Sequence, residues 1–348
     1  MVNLEDKEWY DFKIDRLFEV SGSITTHPSK LIKGGKTPRI TCASVNNGLD
    51  NLYLNQSTEA GGVLTVDSAT IGYVSYQEVD FIATDHVEKI FFKNKKINRS
   101  LGLGLITSIK VSTLNKFNYG YKFSQKRIKK QKIILPISEN KEPDYEYMEQ
   151  YSKSIINKKT EDYKRYTKKL LSQLEYKKVE SLNNKEWHEF FLTDIFPVIQ
   201  RGKRLTKDNQ ISGDTPYISS TASTNGVDNF IGNDKNVRIF SDCLTIANSG
   251  SVGATFYHPY KFIGSDHITN LKNRNFNKYI YLFISTLASR LSEKYNFNRE
   301  INDKRISREK IMLPINEKNE PDFEYMEQYM KNTMYKKINQ YLNYLENK

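Results

Sequence analysis

The chain has 348 residues, 38% hydrophobic and 27% charged, with 53 basic against 41 acidic side chains and a net charge of +12. That composition excludes intrinsic disorder, and no run nears the ~20 apolar residues of a membrane span. Two cysteines, Cys42 and Cys243, exclude a disulfide framework or a four-thiolate zinc site, leaving each as a small core residue. The length suits about two domains, the basic excess names an anionic polymer as the first partner to consider, and a polar N-terminus without an apolar stretch indicates a cytoplasmic protein.

Taken in chain order, the elements come twice. Lys7-Glu8-Trp9-Tyr10-Asp11-Phe12 returns 178 residues later as Lys185-Glu186-Trp187-His188-Glu189-Phe190. Gly35-Lys36-Thr37-Pro38-Arg39-Ile40 is matched by Gly213-Asp214-Thr215-Pro216-Tyr217-Ile218. Asn47-Gly48 is matched by Asn225-Gly226, a dipeptide of turn chemistry that we assign to the scaffold. Short apolar runs broken by Gly, Asn, Asp and Ser, as in Ala69 to Tyr76 and Leu244 to Tyr257, predict a mostly β module with a few helices. The module spans residues 1–142 and again 181–320.

Each module runs into a helix. Glu142-Pro143-Asp144-Tyr145-Glu146-Tyr147-Met148-Glu149-Gln150-Tyr151 recurs from Glu320 to Tyr329 with only Tyr145 exchanged, for Phe323. Proline at the first helical position with acids in the first turns predicts helices over 143–180 and 321–348. The first, at about 36 residues, would reach roughly 54 Å. Ile156, Tyr163, Tyr166, Leu170 and Leu174 form an apolar stripe on one helix. Met326, Met330, Met334, Ile338, Tyr341 and Leu345 form another on the second. Either each stripe packs on its own module or the two helices pack together and space the modules apart; duplication favours the second.

A catalytic constellation is not visible. Gly102-Leu103-Gly104 lacks the third glycine of a dinucleotide loop, and Asn248-Ser249-Gly250-Ser251-Val252-Gly253 lacks the leading glycine of a nucleophile elbow and reads as a tight turn between strands. Pro143-Asp144 with Glu175-Tyr176-Lys177, and Pro321-Asp322 with Glu346-Asn347-Lys348, match a metal-nuclease pattern by letter. On continuous helices their carboxylates would lie about 46 and 36 Å apart, too far to share an ion. Of the five histidines (His27, His86, His188, His258, His267), two repeat as Asp85-His86 and Asp266-His267. On a strand such neighbours face apart, which gives them a structural role.

The organisation resembles the DNA-specificity (S) subunits of Type I restriction–modification systems. The matching segments are Lys185-Glu186-Trp187 with Phe196 and Arg201-Gly202-Lys203-Arg204, then Asn248 to Gly253, then the duplicated Leu-Pro-Ile and Glu-Pro-Asp helix entries. The Pro-Asp-Tyr-Glu-Tyr-Met-Glu form and the short chain are most similar to S subunits serving a fused methyltransferase–nuclease. The resemblance implies an α+β fold, a tandem duplication of a mostly β target-recognition domain followed by a long helix, with the two helices in an antiparallel coiled coil. It implies a non-catalytic chain whose partners are double-stranded DNA and DNA adenine methyltransferase subunits. S-adenosylmethionine and Mg²⁺ are expected on those subunits and no cofactor on this chain; the partners methylate adenine N6 after flipping the base out.

Basic clusters supply the DNA contacts expected of such a chain. Lys122, Lys126, Arg127, Lys129 and Lys130 lie together with no acid between them, followed by Lys132. Arg201, Lys203, Arg204 and Lys207 form a second run, and Arg299, Lys304 and Arg305 a third, diluted by acids. Where the repeats diverge, at 22–33 against 200–211 and 92–117 against 273–295, we place base reading. Ser23-Ile24-Thr25-Thr26 stands in the first repeat where Arg201 to Arg204 stands in the second, and Arg201 and Arg204 suit the guanine edge. Two other classes remain: an autonomous two-headed DNA-binding protein, and a nuclease with an unrecognised site.

Overall fold

A computed structural model describes residues 4–347 and divides the chain into two compact units, Met1–Tyr163 and Lys164–Lys348, each with its own core. In the first, β1 (Trp9–Lys13) passes through one helical turn, α1 (Ile14–Leu17), into β2 (Glu19–Gly22). The strands β3 (Lys33–Ile40) and β4 (Leu49–Tyr53) pair antiparallel around Asn47-Gly48, where both residues take positive φ, 58° and 78°. Next come β5 (Val63–Asp67), β6 (Val74–Gln77), β7 (Ile82–Ala83) and β8 (Val87–Phe91). Helix α2 (Arg99–Thr113), the short α3 (Gln125–Lys130), β9 (Lys132–Pro136) and the long α4 (Tyr145–Leu171) complete the series.

These strands form one antiparallel sheet in the order β2-β8-β5-β6 and a smaller one, β4-β3-β7, in which β3 and β7 run parallel. A separate ribbon pairs β1 with β9, Trp9 opposite Pro136. Every residue of β5 is buried, as a central strand covered on both faces requires. Phe12, Leu64, Ile90, Leu105, Ile133 and Met148 join ribbon, sheet and helices in one core.

The second unit repeats this plan. The ribbon is β10 (Trp187–Phe191) with β19 (Lys310–Pro314), and α5 (Leu192–Ile195) leads to β11 (Val198–Arg201). One four-stranded sheet, the counterpart of β4-β3-β7 with a strand added, joins β12 (Ser212–Ile218), β13 (Val227–Ile231), β14 (Ile239–Phe240) and β17 (Phe262–Gly264) in the order β13-β12-β17-β14. A second four-stranded sheet, the counterpart of β2-β8-β5-β6, runs β11-β18-β15-β16, with β15 (Cys243–Ala247), β16 (Thr255–His258) and β18 (Ile268–Lys272). Helices α6 (Lys278–Ala288), α7 (Leu291–Lys294), α8 (Asp303–Ile306) and α9 (Phe323–Glu346) follow.

The duplicated motifs are the joints of each unit. Lys7 bonds Asp144 at 2.6 Å and Lys185 bonds Asp322 at 2.8 Å. The indole N–H groups of Trp9 and Trp187 donate to the carbonyls of Leu4 and Leu182, each at 3.1 Å. Asn98 and Asn277 accept first-turn N–H groups of α2 and α6 and donate to the Glu149 and Glu327 carboxylates. Asp144 and Asp322 accept from the N–H of Tyr147 and Tyr325, so the aspartate caps each long helix. The expected proline at the first helical position is thereby corrected. Pro143 and Pro321 sit one residue before the cap, bridged to Ile137 and Ile315.

The central helix is also shorter than the expected 143–180. It ends at Leu171, and its 27 residues span about 40 Å. One more turn follows, with the Leu174 N–H donating to the carbonyl of Leu170, and from Glu175 on the backbone finds partners on α9. Asn332 exchanges two hydrogen bonds with the backbone of Lys177, Gln328 donates to the carbonyl of Glu175, and the Tyr325 hydroxyl donates to that of Glu180. Leu170 and Leu174 share an apolar cluster with Ile338, flanked by Met330 and Met334. Within the second unit residues 170–180 therefore run antiparallel to α9. Tyr166 and Tyr341 of the two stripes are 63% and 45% exposed, Leu345 is half-buried, and Ile156 and Tyr163 belong to the first unit. Among the described residues no helix is long and apolar enough to cross a membrane.

Candidate nucleic-acid interface

The first basic cluster lies on a turn followed by α3. Ile128 anchors the short helix in the core, while Lys126 and Lys130 are exposed and Lys122 and Lys129 half-buried. None of these four lysines has a carboxylate within 4.0 Å among the described residues, so their charge stays available to phosphate. Arg127 is different. It stands 3.8 Å from the Tyr121 ring centre and donates to the carbonyl of Lys122 at 2.7 Å. Arg305, its counterpart in the second unit, donates to the carbonyl of Glu300, also five residues upstream, at 2.5 Å. Both arginines tie down the loop before a short helix. Lys304 is exposed, and Arg299 lies 5.2 Å from the Tyr295 ring.

The run from Arg201 to Lys207 leaves the end of β11. Gly202 is packed so closely that a Cβ would lie 2.0 Å from the Ser265 carbonyl oxygen, and the Lys203 N–H donates to the carbonyl of Gly264. Arg201, expected to read guanine, donates its Nε–H to the carbonyl of Asp266 at 2.5 Å, while Arg238 donates to the carbonyl of Arg201. Arg204 and Lys207 are exposed, and Lys203 reaches Asn236 at 3.4 Å. In the first unit the corresponding Ile24 N–H donates to Glu59, a buried carboxylate paired with Lys89, and Thr25 bridges to Ala83. The two loops thus differ in charge and in anchoring.

Asp85-His86 and Asp266-His267, expected on strands with side chains facing apart, occupy turns between β7 and β8 and between β17 and β18. Each histidine ring turns toward its own neighbour's carboxylate, at 3.6 and 3.8 Å, and His86 has a φ of 62°. His267 also meets Ser249 at 2.7 Å. Sequence reasoning missed this grouping of Ser249, Asp266, His267 and Arg201. The repeated Asp-His pair was its signal, hidden by assigning the pair to a strand.

Other candidate chemistry resolves into structure. Asn248 is fully buried, accepts from Thr269 and fixes the turn to the backbone of His267 and Ile301. Burial pushes the thiols of Cys42 and Cys243 up to about 12, as inert packing residues require. Burial lowers His258 to about 4, and it bonds Thr245 at 2.8 Å where Gln77 bonds Thr65 in the first unit. The nuclease-like letters are accounted for differently from the helical spacing expected: Asp144 and Asp322 are ion-paired caps, Glu175 lies beyond the end of α4, and Lys348 lies outside the described residues. Among the described residues no three His, Cys, Asp or Glu side chains are placed to hold a metal ion.

Known proteins share this organisation. Residues 6–164 and 184–344 each match the family described as Type I restriction modification DNA specificity domain. The specificity subunit of a Type II restriction enzyme from Heyndrickxia coagulans is 32% identical over 327 residues, 92% of each chain. The crystal structure of a Type I restriction-modification S subunit from M. genitalium aligns over 100% of this chain and 94% of its own, at 15% identity and a TM-score of 0.48. An HsdS subunit from Thermoanaerobacter tengcongensis aligns over 97% and 91%, at 12% identity and a TM-score of 0.33.

Proposed function

The chain belongs to the Type I restriction modification DNA specificity family, and from that premise we propose that its two recognition domains each read one half of a bipartite duplex site within a cytoplasmic methyltransferase complex. One observation carries the reading. The repeats keep the same Lys–Asp, Trp–carbonyl and Asn–Glu joints yet differ at 22–33 against 200–211, the loops that follow β2 and β11. Two half-sites of different sequence require such a pair: one scaffold, two surfaces.

The division of labour follows from the side chains. Lys122, Lys126, Lys129, Lys130, Lys203, Lys207 and Lys304 contact phosphate and position the domains, and Arg204 reads a base edge. Helices α4 and α9, as an antiparallel coiled coil, set the half-site spacing and dock the methyltransferase subunits. Those subunits carry S-adenosylmethionine, use Mg²⁺ where they also cleave, and methylate adenine N6. The partner is a methyltransferase fused to a nuclease, a reading in keeping with a relative named as the specificity subunit of a Type II restriction enzyme.

The test is a half-site panel bound by the full chain together with its methyltransferase. Exchanging 200–211 should change which second half-site is accepted, since a bidentate base contact discriminates by about 1–3 kcal/mol. Replacing Lys126, Lys129 and Lys130 with Ala should weaken all sequences alike, each lost phosphate contact removing about 0.9 from the salt slope. A uniform loss for the 200–211 exchange overturns the assignment of base reading to this loop. Equal, tight and specific binding without the methyltransferase favours an autonomous DNA-binding protein instead.

A further inference from the structure

Tyr119 and Phe297 are 77% and 78% exposed, the highest values among the large apolar side chains described. They stand 178 residues apart, at the same place in the two repeats. Each occupies the tip of a turn closed by backbone hydrogen bonds in both directions, Asn118 with Tyr121 and Asn296 with Arg299. Side-chain oxygens brace the turns from within: Asn118 accepts the Tyr121 N–H at 2.9 Å and Asn296 accepts the Asn298 N–H at 3.0 Å.

The bases of the turns are stiff for different reasons. In the first unit Phe117 stacks on both Tyr121 and Phe123, and Arg127 lies over the Tyr121 ring. In the second, the buried Tyr295 bonds the carboxylate of Glu309, which also holds Lys294. Both tips are cationic. Lys122 lies 5.2 Å from the Tyr119 ring, and Arg299 closes the turn that carries Phe297. An apolar ring is thus held rigidly in solvent, twice, among positive charges and amides.

The exchange of Tyr for Phe identifies what the two tips share. The hydroxyl is dispensable and the ring is not, so the ring face makes the contact. A protein partner would need apolar surface around the ring, and the turns supply Asn118, Gly120, Asn296 and Asn298 instead. Stacked bases beneath a phosphate backbone match both the ring and the cations. We propose that Tyr119 and Phe297 are stacking wedges, each entering a base step of its own half-site and holding the duplex without reading its sequence. This rests on the DNA-recognition function proposed above.

The experiment uses the full chain with its methyltransferase, as wild type, as Tyr119→Ala and Phe297→Ala, and as the conservative Tyr119→Phe and Phe297→Tyr. The alanine variants should keep the wild-type Tm, because the rings are exposed. Each should bind duplex DNA about 5- to 150-fold more weakly, equally on correct and mutated half-sites, with the slope against log salt unchanged. The conservative variants should restore affinity. With 2-aminopurine placed at successive steps outside the target adenine, one step per half-site should brighten on binding and stay dark with the alanine variant.

Alanine variants that bind DNA as tightly as wild type overturn the inference and leave the DNA-recognition function standing. Variants that keep DNA affinity but lose the methyltransferase place the rings on a protein interface and overturn it equally. A wild-type complex that binds no duplex DNA overturns the proposed function and the wedges with it.

Discussion

Gly104 on α2 and Phe283 on α6 stand at corresponding places, six residues past the capping Asn98 and Asn277, and the two units part company there. Phe283 stacks on Trp187 with ring centres 6.2 Å apart and meets Tyr329 edge-on at 5.7 Å. In the first unit Trp9 and Tyr151 occupy the matching positions with no ring between them. They border an apolar cleft of about 510 Å³ with Leu103, Val111, Ile134 and Ile155. Two residues earlier, Gly102 lets the Tyr76 ring come within 2.7 Å of where a Cβ would be, and the second unit has Tyr281 there, stacked on Tyr257.

The joints that connect these elements are the same in both units. An ion pair or cap that loses one partner leaves the other's polar group without its bond, and no neighbouring side chain replaces that geometry. Apolar volume can be moved between neighbours at small cost, so packing drifts. Duplication therefore preserved polar geometry and let the apolar faces diverge.

The largest test of this contrast is Phe283→Ala, which should destabilise the second unit by about 3–5 kcal/mol in chemical denaturation and leave the first unchanged. A loss under 1 kcal/mol would show that the ring is not what closes this face. Acid should separate the units next. The folded chain holds His258 neutral down to about pH 4, whereas the unfolded chain takes up that proton near 6.5. Below pH 6.5 the unfolded state binds more protons, so stability falls as pH drops toward 4, by about 3 kcal/mol. Denaturation curves across that window should show the loss for the wild type, and His258→Gln, copying Gln77, should remove it.

Asp144→Ala and Asp322→Ala should each cost about 1–2 kcal/mol through the lost cap and ion pair, and by equal amounts. Unequal losses in thermal unfolding would break the equivalence of the joints. The smallest effect belongs to Gly104→Ala. Its Cβ would meet Ser152 Oγ at 3.2 Å and the Met148 methyl at 3.3 Å, both side-chain ends able to give. The gain in helix propensity should then leave the first unit up to about 1 kcal/mol more stable by the same measurement.

Much of this organisation was legible in the residues. The repeat of Lys-Glu-Trp and Glu-Pro-Asp at one offset announced two modules, each ending in a helix, and the basic run 122–130 announced a cationic surface. The site was less legible residue by residue. Arg127 and Arg305 each give one N–H to the carbonyls of Lys122 and Glu300, and Arg201 gives its Nε–H to that of Asp266, directions that no local pattern in the sequence specifies. Charge is a property of the residue type, but the direction in which a guanidinium points depends on which acceptor the fold brings near.

The sequence by itself determined the duplication, the presence of a helix after each module and the net charge, because turns and periodicity act over a few neighbouring residues. The end of α4 was decided by the tertiary structure. Residues 172–180 carry no helix breaker, yet their backbone is drawn off by Gln328, Asn332 and Tyr325, side chains about 150 positions away. The cleft beside Gly104 is likewise a fact of packing, since the size of a gap depends on residues from β9, α2 and α4 that meet only when the chain has folded.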